Sequence, residues 1–409
     1  MASASFILFI TVSCLFSLNC ISHAETDTLK QGQMLRDWEQ LVSASGVFRL
    51  GFFSPNRAQL GMLGPSGPRH LGIWFNYLPY FSVWVANRVD PVPDSSGALT
   101  IDGDGKLKIL YQGGLPIVIN PNMAVKASGA NNITATLLDS GNLVIQQVDS
   151  SGNAGRVLWQ SFDYPHNVLL PGMKIGMNLK TGQNWSLTSW LSEKVPAPGA
   201  FRLDLDPSGV NQLLVRRRDD VYWSSGVWKN GSFESAPELT KRNDIYEFSF
   251  VANDEEKYFS YSVKNKSVLS KWDLDTLGQI TTLTLEMSVN STTYTFESTS
   301  PCQYSSKNST AVCLSEPPIK CRNGSEIFVP KRGYIDYNDY YWYYDSDMNT
   351  GLSDCHAKCW KNCTCVAYKS LSSDETGCRF WSKGAKFNPD DYSEFVYLLT
   401  RENSKGNLV

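Results

Sequence analysis

Between Cys20 and Cys302 the sequence has no cysteine at all. That interval holds neither disulfide, thiolate zinc site nor cysteine nucleophile, so its fold must rest on an apolar core. Histidine is nearly as scarce, with His23, His70, His166 and His356 scattered and no serine or aspartate pattern around them. GxSxG, HExxH, a phosphate loop, GxGxxG and the HRD and DFG kinase signatures are all missing, which argues against an enzyme. Charge of one sign is lacking too: 37 basic against 40 acidic residues give −3, no field for nucleic acid or an anionic membrane. The one basic run, Arg216-Arg217-Arg218, is followed by Asp219-Asp220 and reads as a solvated strand end. Past the N-terminal segment no apolar run reaches the roughly 20 residues of a spanning helix, and the C-terminus, VYLLTRENSKGNLV, closes on polar residues.

The apolar stretch from Phe6 to Leu18, followed by Ser22-His23-Ala24, reads as a secretory signal (1–24) cleaved after Ala24, despite an n-region without Lys or Arg. Cleavage leaves 385 residues, enough for about two to three domains. It also discards Cys14 and Cys20. Eight cysteines remain: Cys302, Cys313, Cys321, Cys355, Cys359, Cys363, Cys365 and Cys378. Eight Asn-x-Ser/Thr sequons fit passage through a secretory lumen: Asn132, Asn184, Asn230, Asn265, Asn290, Asn308, Asn323 and Asn362. In that oxidising compartment CHAKCWKNCTC (355–365) is expected to hold disulfides, not a metal, with His356 a surface neighbour. No cofactor is implied.

From Asp27 to about Val148 apolar residues alternate in short runs, VFRLGFF (47–53), LGIWF (71–75), SVWVAN (82–87), LKIL (107–110) and NLVI (142–145), punctuated by Gly, Pro, Asn and Asp. The pattern predicts an all-β domain. ALTIDGDGKLKI (98–109) and TATLLDSGNLVI (134–145) repeat at an offset of 36 positions, each a strand, a tight turn and a strand. One hairpin cannot bury its apolar face alone, so the repeat predicts pseudo-symmetric packing.

LGIWF, VWVANRVDPVPDSSGALTIDGDGKLKI and LLDSGNLVI, read in order, resemble the bulb-type lectin domain of plant S-locus glycoproteins and S-domain receptor-like kinases. The resemblance implies a β-prism over 25–150 whose interior is filled by aromatic side chains, with Trp74 and Trp84 as candidates. LWQSFDYPHNVLLPGMKIGMNLKTGQNWSLTSW (158–190), PAPGAFRLDLDP (196–207) and YWSSGVWKNGSF (222–233) resemble the linker and S-locus glycoprotein domain of that family, a second all-β unit over 151–300. His166-Asn167 departs from the family's usual Thr-Asp.

Residues 301–323 stand where the family has an epidermal-growth-factor-like module, here degenerate. CHAKCWKNCTCVAYKS, GCRFW and FVYLL resemble a small, disulfide-stapled α+β PAN/apple module over 324–400, before a tail at 401–409. By this resemblance Cys355 pairs with Cys378 and Cys359 with Cys365, leaving Cys321 with Cys363 and Cys302 with Cys313. Spacing alone leaves 105 connectivities for eight cysteines. The aromatic run YIDYNDYYWYYD (334–345) suits a recognition surface or a lid on a small core equally.

Mannose-binding members of the fold carry Gln-x-Asp-x-Asn-x-Val-x-Tyr, whose alternation points polar groups at the sugar. In the first repeat Asp102, Asp104, Lys106, Lys108 and Leu110 take the five places, and only Asp104 matches. In the second, Leu138, Ser140, Asn142, Val144 and Gln146 do, with Asn142 and Val144 kept. Weak or no glycan binding follows, and Asn142 reads as a turn residue of its hairpin. The resemblance implies a secreted or cell-surface recognition ectodomain for an extracellular protein or peptide ligand, forming homodimers or heterodimers with family receptor kinases. The alternatives are a mannose-type defence lectin, or a shortened product of a plasma-membrane receptor-kinase gene.

Overall fold

The computed structural model describes residues 26–55, 67–123, 132–149, 151, 153–288, 291–299, 321–322, 326–336 and 341–401. The alternation of the N-terminal third becomes three four-stranded antiparallel sheets. One is sequential: Leu41–Val42, Phe48–Phe53, His70–Phe75 and Leu78–Val85. The other two take an early edge strand, Met34–Arg36 or Thr28–Lys30, and add Ala98–Ile101, Leu107–Leu110 and Ile117–Val118, or Ile133–Leu137, Leu143–Val148 and Ala154–Gln160. The two repeated hairpins are thus the paired inner strands of two sheets. Their turns share one geometry, with Gly105 at φ +78° and Gly141 at φ +84°, where any Cβ is strained.

Register lines up one inward row per sheet. The rows are Leu41, Leu50, Ile73 and Trp84; Leu35, Leu99, Ile109 and Ile117; and Leu29, Ala135, Ile145 and Trp159. Because side chains alternate across a strand, these rows meet as one core layer of a three-sided prism. Trp84 faces this interior as expected, meeting Trp159 at 6.1 Å. Trp74 does not: it lies one place along from Ile73, on the outer face, buried with Phe53, Val85 and Trp190 of the next unit. The first interior is mainly aliphatic.

Residues 168–299 repeat the plan. Leu187–Ser192, Val195–Leu205, Leu213–Arg217 and Asp220–Ser224 form a sequential sheet. Val168–Leu169 joins Val268–Leu274, Ile280–Ser288 and Ser291–Thr299, and Ile175–Asn178 with Asn184–Trp185 joins Glu256–Val263 and Tyr246–Ala252. This second prism holds the aromatic interior. Trp272 lies 5.3 Å from Phe259 and 5.5 Å from Tyr261, and Phe259 lies 5.2 Å from Phe233.

The third unit is a six-stranded sheet, Trp342–Asp345, Cys378–Ser382, Cys365–Ser370, Phe395–Arg401, Glu326–Ile335 and Phe387–Pro389, with helix α1 (Leu352–Lys361) on one face. Spacing of four puts Cys355 and Cys359 on one side of α1, and both are fully buried against the sheet. Asp354 in the first turn accepts the Gly351 N–H at 3.0 Å, and Lys358 and Lys361 occupy the last turn, charges matched to the helix dipole.

The units are joined by polar contacts. Arg88 of the first prism donates to the carbonyls of Pro196, Ser189 and Thr188 in the second, at 2.6, 2.8 and 3.1 Å. Burial pulls its pKa down to about 9, so it remains charged at neutral pH. His166 stacks on Trp84 at 5.5 Å and its Nδ1 accepts the Val85 N–H at 3.0 Å. Arg218 is solvent-exposed just past the end of its strand, as the sequence predicts. From there it also grips Asp354 of α1 with two bonds, at 3.0 and 2.7 Å.

Candidate functional site

Most polar groups at the sugar-pattern positions are bonded inside the protein, while the side chains of Asp104 and Gln146 face solvent. Asp102 Oδ1 accepts the N–H groups of Asp104 (3.0 Å) and Lys106 (2.8 Å), and Lys108 pairs with the Asp102 carboxylate. Lys106 Nζ donates to the carbonyls of Met123 and Pro121 at 2.5 and 2.7 Å. Asp104 is an exposed turn residue. These are the bonds of a self-contained Asx turn.

Asn142 is 7% exposed. Its Nδ2 donates to Gln160 Oε1 at 2.9 Å, and its Oδ1 accepts from Ser161 Oγ at 3.1 Å and from the Phe162 N–H at 3.2 Å. The side chain therefore fastens its hairpin to the 3-10 turn Ser161–Asp163, where the chain leaves the first prism for the second. Val144 is 5% exposed, so the apolar contact it offers is already covered. The structure brings Asn142 and Val144 onto one hairpin and leaves Asp104 on another sheet.

In the third unit the structure carries the bridges Cys321–Cys363, Cys355–Cys378 and Cys359–Cys365, with Cα separations of 5.6, 5.4 and 5.3 Å. Cys302 and Cys313 lie outside the described residues, as do the signal segment, most of the 301–323 region, and Asn290, Asn308 and Asn323. Asn132, Asn184, Asn230 and Asn265 are exposed. Asn362 is half-buried, and its Nδ2 donates to Tyr343 Oη at 2.8 Å. His356 is not a surface bystander: its ring packs between Phe328 (5.3 Å) and Tyr368 (5.9 Å). The aromatic run divides, Tyr343 stacking on Phe380 at 4.9 Å while Tyr334 and Tyr344 stand exposed.

Among the described residues no cluster of His, Cys, Asp and Glu is arranged to hold a metal. What sequence reasoning missed is the junction: Arg88, Asn167, Trp190 and Lys271 are buried polar or aromatic residues from separate segments, with no motif to link them. The His166-Asn167 departure was the one available signal. Both residues make junction bonds, Asn167 Oδ1 accepting the Trp190 indole N–H at 3.0 Å.

Comparison with known families matches a D-mannose binding lectin domain over residues 82–191, an S-locus glycoprotein domain over 223–332 and a PAN-like domain over 321–385. The Arabidopsis thaliana G-type lectin S-receptor-like serine/threonine-protein kinase CES101 is 34% identical, over 92% of this chain and 45% of the relative. A second Arabidopsis thaliana kinase of that name, At1g67520, is 35% identical over 98% of this chain and 46% of the relative. Among solved structures, a monomeric monocot mannose-binding lectin from Gastrodia elata is 22% identical over 33% of this chain and 96% of that one, with a TM-score of 0.22. The chain thus spans about half the length of the kinases it matches, and these 409 residues carry lectin, S-locus and PAN domains with no kinase domain among them. With the three domains in this order and relatives aligned along nearly its whole length, the chain belongs to the S-domain receptor-like kinase family, whose ectodomain it represents.

Proposed function

We propose that this chain is an extracellular recognition module that binds a protein or peptide ligand in preference to a mannose-type glycan, alone or dimerised with a family receptor kinase. The observation that carries this reading is Asn142. The one amide kept from the sugar pattern makes three bonds inside the protein, to Gln160, Ser161 and Phe162. A hydroxyl arriving there must displace bonds worth about 0.5–1.5 kcal/mol each, with no net gain. Interfaces with proteins instead favour exposed tyrosines, which the third unit offers in Tyr334, Tyr344 and Tyr392.

The test is a mannose-glycan array probed with the secreted, glycosylated protein, beside the variants Asn142→Ala and Gln146→Ala. Gln146 holds the last pattern position on the same strand and is half-exposed, so its loss leaves the fold intact. Silence from the unmodified protein, with saturable binding to a secreted peptide, is the expected result. Glycan binding that Gln146→Ala abolishes would make this a working lectin and overturn the reading.

A further inference from the structure

A cleft of about 190 Å³ opens where the two prisms meet. Its lining comes from four segments distant in sequence: Ser82 of the first prism, Asn167, Trp190 and Glu193 of the strand Leu187–Ser192 and the turn after it, and the stretch from Lys271 to Leu283. Much of the polar lining is satisfied internally. Trp190 Nε1 donates to Asn167 Oδ1 (3.0 Å), Asn167 Nδ2 to Asp273 Oδ1 (2.7 Å), and Lys271 Nζ to Asp273 Oδ2 (2.7 Å). The charge of Asp273 is therefore met inside the protein.

Two groups are not satisfied in this way. Asp275 accepts only the backbone N–H groups of Leu277 (2.9 Å) and Gln279 (2.8 Å) on one oxygen, and has no cationic partner among the described residues. Burial, with Asp273 and Glu193 nearby, pushes its carboxyl up to about 6. Ser82, 7% exposed, lines the same cleft and its hydroxyl has no hydrogen-bond partner among the described residues. Glu193 reaches over from the other side, joined to the Asp275 turn by the Thr276 hydroxyl at 3.3 Å.

We propose that this cleft is a binding site for a single cationic group, an alkylammonium or guanidinium of the kind a lysine or arginine side chain carries. Three carboxylates against one lysine leave the lining net negative. A half-buried carboxylate with no counter-charge is costly, and an N–H-rich cation relieves that cost with charge-assisted bonds to Asp275 and Glu193. The hydroxyls of Ser82 and Thr281 accept further N–H groups. Trp190 and Leu283 offer the methylene stem and the cation an apolar and aromatic wall. The volume lies below the usual range for whole small-molecule ligands and suits one side chain, not an oligosaccharide. A neutral sugar would leave the Asp275 charge where it is. Nothing here depends on the ligand class proposed above, since a free small molecule fills the cleft.

The test is titration of the full secreted chain by isothermal calorimetry with acetyl-arginine amide, its neutral isostere acetyl-citrulline amide, putrescine and methyl mannoside. Saturable binding of the arginine compound with none by citrulline or mannoside is expected. Asp275→Asn, which keeps the oxygen that the turn bonds to, and Glu193→Gln, at an exposed position, should each weaken it by about tenfold or more, with Glu193→Gln leaving the melting curve unchanged and Asp275→Asn, relieved of an unpaired charge, melting no lower. Putrescine binding as tightly as arginine would show that any amine suffices, and arginine binding alone would assign the site to a peptide side chain; either supports a cation site. Equal binding of citrulline and arginine, no binding of any cation, or unchanged affinity in both folded variants overturns it.

Discussion

Arg69 and Asp37 form a two-bond ion pair, at 2.8 and 2.7 Å, with side chains only 4% and 8% exposed. Removing one partner strands the other charge in the core of the first prism. Arg69→Met is expected to lower the stability of that prism by about 3–5 kcal/mol, read as a shifted urea midpoint, and joint replacement with Asp37→Leu to restore most of it. The histidines act through pH instead. His70 donates to the Asn87 carbonyl (2.9 Å), and burial holds its pKa down at about 4; burial, with Arg88 nearby, holds His166 well below the usual range. Both bases are neutral in the fold, whereas unfolded histidine takes a proton below about 6.5. Between about 6.5 and 4 the unfolded chain binds more protons, so stability falls as pH drops through that window. His70 alone should cost about 2 kcal/mol between pH 7.5 and pH 5. Melting temperatures across that range check it, and His166→Asn, whose amide oxygen can accept the Val85 N–H, should flatten the profile.

At the scale of elements, the hairpin of Leu187–Ser192 and Val195–Leu205 touches both neighbouring units. It receives Arg88 and Trp74 from the first, while Ser192 Oγ donates to the Asp374 carbonyl (2.5 Å) and Lys194 Nζ to the Ser373 carbonyl (2.7 Å) of the third. Gly351, before helix α1, lies so close that a Cβ would fall 2.4 Å from the Leu191 carbonyl oxygen. Gly351→Val should push the third unit off this hairpin, and Arg218→Ala should loosen the same contact without steric strain. Hydrogen exchange is the measurement. Faster exchange in both variants over residues 349–361, with the strands of the first prism unchanged, is expected. Unchanged exchange there would show the contact to be incidental.

At the scale of the whole molecule, covalent and non-covalent stabilisation are segregated. The three bridges of the described residues lie in the third unit, where each is worth about 2–4 kcal/mol, while both prisms stand on apolar cores without a cysteine. Reduction with dithiothreitol should therefore abolish exchange protection over residues 326–401 and leave that of 26–288 in place. Protection lost throughout would mean that the units fold as one cooperative body.

Period-two alternation sufficed for the all-β character, because one face of each strand must be buried; the repeat at an offset of 36 positions foretold two equivalent hairpins. The mismatched sugar pattern was equally visible, since residue identity alone decides which donors exist. Spacing did not say which side of a sheet Trp74 would take, because LGIWF is apolar at both parities and only the docking of the next unit shows that the outward place beside Ile73 is covered by Trp190. Nor did it show that Arg218 would hold a helix more than a hundred residues away, or that Ser82, Trp190 and Asp275 would share a cleft. Contacts at such separations depend on how three folded units dock, and local periodicity carries no term for docking.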